Sequence, residues 1–555
     1  MASSVSALWL VSTFATDPSL SERLTRLRGC ECSPSMTPDG STLIYEVVLE
    51  NGFGIYALRL SDRRTTALSL QNKPVWEQQD NWDYSPVVSP DGLRIAYLHD
   101  DPSGTSVRVM PISGDEDDTQ IIRLGPGSEG DPAWRDSNTV IATQPNKEIA
   151  EFRLAPDGTF TRKRLATLDS SFHAYGLFVL PDGRILVRAA VEGTQLRDWK
   201  LFLIAPGSDK PVALAGPSSL RFKGQFLSAS KQALYLVTGY AKQNASLATF
   251  PIDGGAATTI AQLPVTYGMD IMPNRGGVVW SDCYEYAVLM RLQKGLAPEE
   301  LTPRWPDVQL SALSRAPDGQ ISVTSLGADS ASVKWLDPAK LTVTDSTLGN
   351  ASQYVPSSNG QRAVLARHVG AKVQGLFVRK LSDGGERAIT KSALDHSPAW
   401  SPDGGTIYFL RGGSTDEGAT LMRVSSRGGA AENVGFEPMT AFALLPNQEI
   451  VFAGAKSQVL QRSSLIKRKP RPLVDAGGKG VFHDLKLAAD QRRVLMLRGG
   501  KEVLEHVLGT QDIELVADSG EIGLRAIDYA PDGRGVIAAA RVWDGDLWLS
   551  KGAVP

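Results

Sequence analysis

The sequence predicts an all-β chain of tandem β-propellers, with about twelve four-stranded blades in two rings of about six. Three observations predict it. First, a Pro-Asp-Gly turn recurs between short apolar runs. It stands at Pro38-Asp39-Gly40, Pro90-Asp91-Gly92, Pro181-Asp182-Gly183, Pro317-Asp318-Gly319, Pro402-Asp403-Gly404 and Pro531-Asp532-Gly533. Second, hairpin-like units recur with a period in the forties, which is the signature of a propeller. Third, glycine (53) and proline (33) are both plentiful, as a turn-rich β chain requires.

The turn has a direct physical basis. Proline presets φ, aspartate bonds nearby backbone, and glycine accepts positive φ. Between alternating apolar residues such a triplet reads as a β-hairpin. The clearest hairpins run from Tyr84 to Leu98 and from His396 to Leu410. A further copy, Pro156-Asp157-Gly158, sits in a different register and reads as coincidence. Degenerate turns such as Asn359-Gly360 and Pro446-Asn447 fill the remaining units.

A third strand is expected after each hairpin, as at 54–60, 106–112, 199–204, 286–292, 375–381 and 420–425. A shorter fourth strand ends in a Leu-Thr or Ile-Thr pattern, as at Leu301-Thr302 and Ile389-Thr390. More than eight blades exceed one ring, so we expect a first propeller over 1–303 and a second over 304–555. The divide falls near Thr302-Pro303-Arg304-Trp305-Pro306. The last unit, 527–549, offers three strands, and residues 1–26 are expected to complete it, protecting an open edge. A sequential pair, each ring closing on itself, is the alternative, and a seven-plus-five division is a further one.

Composition narrows the function classes. A chain of 555 residues needs two or more cores. A net charge of −3 gives no reason to expect nucleic acid. The runs Asp115-Glu116-Asp117-Asp118 and Lys467-Arg468-Lys469-Pro470-Arg471 read as solvated loops. No apolar run approaches the roughly 20 residues of a membrane helix, so no membrane insertion is expected. The stretch 7–15 lacks a positive flank and reads as a strand matching Asp546-Leu547-Trp548-Leu549-Ser550. Cys30, Cys32 and Cys283 are too few for a disulfide framework and read as packed or free thiols. Cys30 and Cys32 share one face of a strand, and a metal pair there is the minor alternative.

The string Ser397-Pro398-Ala399-Trp400-Ser401-Pro402-Asp403-Gly404 resembles the repeat of TolB-like β-propellers. The same repeat occurs in the propeller domains of prolyl-oligopeptidase-like enzymes and tricorn proteases. The resemblance covers nearly the whole chain, with a clean motif in about half the units. It implies a propeller fold, a bacterial source and a periplasmic or extracytoplasmic setting. It does not imply one function, because this fold serves many.

The modules that give such proteins an activity are missing from the sequence. It holds no Gly-x-Ser-x-Gly elbow, no His-Glu-x-x-His helix, no phosphate loop and no dinucleotide fingerprint. Candidate residues therefore come from channel mouths, at the starts of innermost strands. They are Cys32, Asp83 with Tyr84, Asp131, His173 with Tyr175, Tyr267 with Asp270, Asp395 with His396, His483 with Asp484, and Asp528. Three of the six histidines fall at such positions. One reading has Asp395, His396, His483 and Asp484 converging on the second channel around a divalent metal. The other has each Asp or His capping backbone amides or bonding to the next blade, and we prefer it. Trp134 and Trp400 read as core between blades. His99, His368 and His506 carry no site argument.

The expected function is a non-catalytic recognition protein or scaffold, binding a protein or peptide partner through propeller faces, with no cofactor. One alternative is a hydrolase or lyase with a metal-assisted channel site. Another is a sensor or substrate-gating part of a larger kinase, regulator or peptidase assembly.

Overall fold

The computed structural model describes residues 21–550, except 28, 50–51, 70–81, 102, 114–121, 127–129, 192–198, 215–225, 230–232, 239–244, 252–257, 264–267, 272–276, 307, 317–319, 327–330, 338–341, 347, 370–371, 414–417, 456, 458, 478–479 and 521. The stretch 7–15, the acidic run 115–118, the turn 317–319 and Tyr267 thus lie outside the described residues.

The fold is an all-β propeller fold. The described strands form twelve antiparallel sheets, each a four-stranded blade, one of them with an additional strand at Trp305–Pro306. The chain divides into two compact units. One is Met1–Tyr284 with Trp543–Pro555, and the other is Glu285–Val542.

Local chemistry accounts for the hairpins. Gly40, Gly92, Gly404 and Gly533 take φ of 68°, 73°, 68° and 72°, the left-handed conformation this turn needs. The aspartate bonds the amide two residues on: Asp39 Oδ1 accepts from Ser41 N at 3.0 Å and Asp403 Oδ1 from Gly405 N at 2.9 Å. The hydroxyl before the proline also donates to it, Thr37 at 2.6 Å and Ser401 at 2.5 Å. These hydroxyls are the main reason both carboxyls are held below the ordinary carboxylate range. Pro156-Asp157-Gly158 is not coincidence. Gly158 has φ of 82° and Asp157 accepts from Thr159 N at 3.0 Å, so the same turn joins the third strand Glu148–Leu154 to the fourth, Phe160–Thr167. Turn chemistry specifies a tight reversal, not its place in the blade.

The Leu-Thr ending has a role as well. Thr302 Oγ1 accepts from Leu289 N at 3.1 Å, and Thr390 Oγ1 from Leu376 N at 2.9 Å. Leu301 and Ile389 are buried beside them. The apolar residue anchors the outer strand, and the hydroxyl satisfies an amide that the ending strand leaves open.

Five blades of the first unit are contiguous in sequence, beginning with Cys30–Met36, Trp82–Val88, Ala133–Asp136, Phe172–Val179 and Phe226–Ala229. The sixth takes Met269–Ile271 and Val278–Ser281, then Leu547–Ser550, then Ser21–Arg23 outermost. The second unit also has five contiguous blades, beginning with Gln309–Arg315, Ala351–Pro356, Asp395–Trp400, Met439–Leu445 and Phe482–Leu487. Its sixth runs Gly523–Tyr529, Val536–Asp544, Tyr284–Leu292, Glu299–Glu300. The innermost strands of the second unit meet in sequence, and the last meets the first, so the cycle closes.

This closure differs from the expected one. The last three strands do not stay together, because Leu547–Ser550 joins the sixth blade of the first unit. Of residues 1–26, the described strand Ser21–Arg23 follows it there and not into the second ring. Likewise Tyr284–Leu292 leaves the hairpin before it and becomes a third strand of the second unit. The division therefore falls at 284/285, before the Thr302–Pro306 stretch. Gly545 sits where the chain changes sheet. Its φ is 155°, and a Cβ there would lie 2.3 Å from Cys283 Cα, so the crossing requires glycine.

The core lies between neighbouring blades. Ile141, Ile149, Val187 and Phe202 share one apolar cluster of the first unit, and Ile407, Phe409, Val364 and Leu376 share one of the second. Both units repeat one inter-blade device. Trp134 Nε1 donates to Val87 O and Trp400 Nε1 to Val355 O, each at 2.9 Å. Arg94 and Arg362 lie over the two indoles, at 5.6 and 5.0 Å from the ring centroids.

Candidate functional site

The innermost strands are not regular. Four residues of these strands, Ser33, Ser85, Gln353 and Ser397, have φ of 48° to 56°. At each the pairing with the second strand slips, between Cys32 and Ser35, Tyr84 and Val87, Ser352 and Val355, and His396 and Ala399. These are β-bulges, which re-aim side chains. Three of the displaced amides are held by the preceding blade. Ser85 N donates to Glu46 Oε2 at 3.0 Å, Gln353 N to Thr324 Oγ1 at 3.2 Å, and Ser397 N to Gln353 Oε1 at 2.9 Å.

Cys32, Asp83 with Tyr84, and Asp395 with His396 sit just before these bulges. Asp528 instead lies near the end of its strand Gly523–Tyr529 and not at its start. The mouth residues are bonded within their own unit. Asp83 Oδ1 lies 2.6 Å from His99 Nδ1, both side chains being buried. Tyr84 donates to Asp100 Oδ2 at 3.2 Å. Asp395, fully buried at its side chain, accepts from Arg411 Nε at 2.6 Å and a second guanidinium nitrogen at 3.0 Å. Asp270 Oδ2 accepts from Met36 N at 2.6 Å and Asp484 Oδ2 from Ile527 N at 3.1 Å, each reaching the next blade. Asp131 lies 3.5 Å from Arg188, and burial moves its carboxyl up against that cation. His173 packs on Tyr175 with ring centroids 4.7 Å apart. Cys32 Sγ donates to Glu46 Oε1 at 3.3 Å.

The four residues that the less favoured reading gathers around a metal do not converge. His396 Nε2 faces Gly412 O at 3.3 Å and, with Asp395, lines a cavity of about 210 Å³. His483 and Asp484 line a different cavity of about 370 Å³. The blade beginning Met439–Leu445 stands between their two blades, and Asp395 is already taken by Arg411. Burial holds the His396 imidazole below its ordinary value.

The larger cavity is the central channel of the second unit, walled by all six innermost strands. Alanines 312, 399, 441, 443 and 526 make much of the wall. Its basic side chains are Arg315, Lys486, Arg525 and His483, opposed by the carboxylates of Asp484 and Asp528. Arg315 donates to Tyr529 O and lies 3.7 Å from Asp528. Lys486 Nζ donates to Leu313 O at 3.0 Å and lies 3.5 Å from Asp484. Burial pushes the Asp528 carboxyl up, while Lys486 and Arg315 oppose that shift. Arg525 is exposed on this wall. In the first unit a channel cavity of about 280 Å³ is lined by Asp131, Arg188, Asp270 and Trp134 among others.

Sequence reading missed the partners on the second strand: His99, Arg188, Arg411 and His368, which lies 2.6 Å from Ser352 Oγ. A signal was present. Asp83 to His99, Tyr84 to Asp100, Ser352 to His368 and Asp395 to Arg411 are all sixteen residues apart. The hairpin register fixes that spacing, so it marks a structural pair.

No family model matches the sequence, and no curated protein matches it. Similar solved structures include the tricorn protease, at 11% identity over 88% of this chain and 62% of that chain, with a TM-score of 0.37. They include a putative TolB from Agrobacterium tumefaciens, at 12% identity over 47% of this chain and 99% of that one, with a TM-score of 0.36. A nidogen/laminin complex aligns at 9% identity over 44% of this chain and 97% of that one, with a TM-score of 0.35. Tricorn protease and TolB are both β-propeller proteins. Among the described residues no helix is long and apolar enough to cross a membrane.

Proposed function

We propose that the protein is a non-catalytic recognition module, a pair of six-bladed propellers that binds a protein or peptide partner at the channel mouth of the second unit. The observation that carries this reading is the bonding of the mouth carboxylates. Asp83, Asp270, Asp395 and Asp484 each hold a backbone amide, an imidazole or a guanidinium of their own unit. A general base must reach the proton it removes, and these groups are oriented toward the scaffold. They act as staples between strands and blades, and a stiff, stapled ring suits recognition.

The channel wall supports a polymeric ligand. Small alanine side chains leave room for an extended segment, and Arg525, Lys486 and His483 offer donors to its carbonyls or carboxylates. The experiment is a parallel capture from native lysate with the intact chain and with Arg525→Glu, read by mass spectrometry. A stoichiometric protein retained by the intact chain and lost by the variant is the expected result. Substrate turnover by the purified chain, or equal capture by both proteins, would overturn the reading.

A further inference from the structure

The three cysteines meet at the seam of the first unit. Cys30 and Cys283 are joined as a disulfide, 253 residues apart in sequence, with Cα atoms 5.2 Å apart. Their reading as packed or free thiols is corrected for this pair and holds for Cys32 alone, which lies outside the disulfide and is buried. All three sulfurs lie within 4.8 Å of one another. Cys30 and Cys283 are 0% exposed and Cys32 is 3% exposed, so the cluster is shut off from solvent.

A disulfide alone needs two sulfurs. The third is placed by strand alternation, since Cys30 and Cys32 share one face of Cys30–Met36. Cys283 is placed by hydrogen bonds. Its amide donates to Ser281 Oγ at 3.1 Å, and that hydroxyl donates to Glu31 O at 2.6 Å, between the other two cysteines. Val48 and Trp543 pack around the sulfurs. Glu46 brings a carboxylate oxygen to 3.3 Å from Cys32 Sγ. Three sulfurs with one oxygen beside them make a donor set for a soft cation. Zinc–sulfur bonds of about 2.3 Å put tetrahedral sulfurs about 3.8 Å apart, within the observed spread. Thiolate donors select zinc or cuprous ions over hard cations.

We propose that Cys30, Cys32 and Cys283 form a redox-gated site for one thiophilic metal ion, Zn²⁺ being the probe, with Glu46 as the fourth ligand. In the oxidised form Cys30–Cys283 clasps the seam and the site is closed to metal. A dithiol reductant, reaching the sulfurs when the seam opens locally, gives two electrons and two protons to the disulfide, breaks the S–S bond, and leaves as a cyclic disulfide. The three thiols then bind Zn²⁺ as thiolates and release three protons, so affinity rises with pH. The metal restores the cross-link that reduction removed. The seam is thereby held in either redox state, by a covalent bond in one and by coordination in the other.

The test uses the full chain. Thiol titration in denaturant should find one thiol in the oxidised protein and three after reduction. The reduced chain should take up one Co²⁺ per molecule, with a thiolate-to-cobalt charge-transfer band that Zn²⁺ abolishes, and the oxidised chain should take up none. Cys32→Ser leaves the clasp intact and should fold as the parent does when oxidised. After reduction it should bind Co²⁺ at least tenfold more weakly. A reduced chain that binds no Co²⁺, folded or not, overturns the proposal. Unchanged binding by Cys32→Ser overturns it equally.

Discussion

The two units are built from the same six-blade plan but complete their last blades differently. In the second unit, two segments supply the closing blade, Tyr284 to Glu300 and Gly523 to Asp544, and both lie inside the chain. In the first unit three segments do so, and two of them are the outermost described parts of the sequence, Ser21–Arg23 and Leu547–Ser550. The first closure is reinforced by aromatic, polar and covalent contacts. Trp280 and Trp548 stack with centroids 6.0 Å apart, Trp280 donates to Ser550 Oγ at 3.0 Å, and Trp548 to Asp282 Oδ2 at 2.8 Å. Arg23 pairs with Asp546, and the Cys30–Cys283 bond lies alongside. Joining three segments from distant parts of a chain carries more loop-closure entropy than joining two. The unit that must do so is also the one with a covalent fastening, the Cys30–Cys283 bond.

That contrast can be broken most sharply by removing residues 546–555. The deletion takes the third strand from the first unit's closing blade and leaves Ser21–Arg23 without a partner. Calorimetry should then lose the first unit's transition and keep the second's, and limited proteolysis should spare a fragment near 285–542. Retention of both transitions would show that the first closure is dispensable.

A smaller effect comes from matched core truncations. Leu547 and Ile537 are both fully buried, in the closing blades of the first and second unit. Leu547→Ala and Ile537→Ala should each cost about 2–5 kcal/mol, and each should lower a different transition. If both lowered the same one, the two closures would not be separate cooperative structures.

The smallest effect concerns the channels. Burial raises the carboxyls of Asp131 in the first unit and Asp528 in the second. A carboxyl raised in the folded state binds its proton more tightly there. The stability it contributes is present below the ordinary aspartate value of about 3.9 and is lost as pH rises through the folded value. Asp131→Asn and Asp528→Asn should each flatten one transition over that window, by at most about 1.4 kcal/mol per pH unit. The turn carboxyls Asp39 and Asp403, held low, act in the opposite direction, adding stability that disappears on acidification. An unchanged pH profile in Asp528→Asn would show that Lys486 and Arg315 already cancel the burial cost.

Much of the fold was legible because its signals are local. Pro402-Asp403-Gly404 closes a turn through bonds between residues at most five apart, which the residues themselves specify. The Leu301-Thr302 ending was visible as a pattern, and its use in capping Leu289 N followed once the strands were placed. The candidate site was less legible. Asp395 was found as a mouth residue, but Arg411 was not, because the pairing depends on hairpin register and a bulge at Ser397. The alternative reading, in which His396 and His483 converge, fails because blades, unlike residues along a helix, are separated by whole neighbouring sheets.

By itself the sequence determined the hairpins, their repeat and the blade architecture, since a turn and its alternating flanks form from contacts within some fifteen residues. Only the tertiary structure decided which blade receives Leu547–Ser550 and Tyr284–Leu292, and which cysteines meet. An open strand edge offers the same row of amides and carbonyls to any strand that reaches it. The choice among candidates therefore rests on distant packing, on Gly545 where the chain turns aside and on the Trp280–Trp548 contact. None of these is written in the repeat.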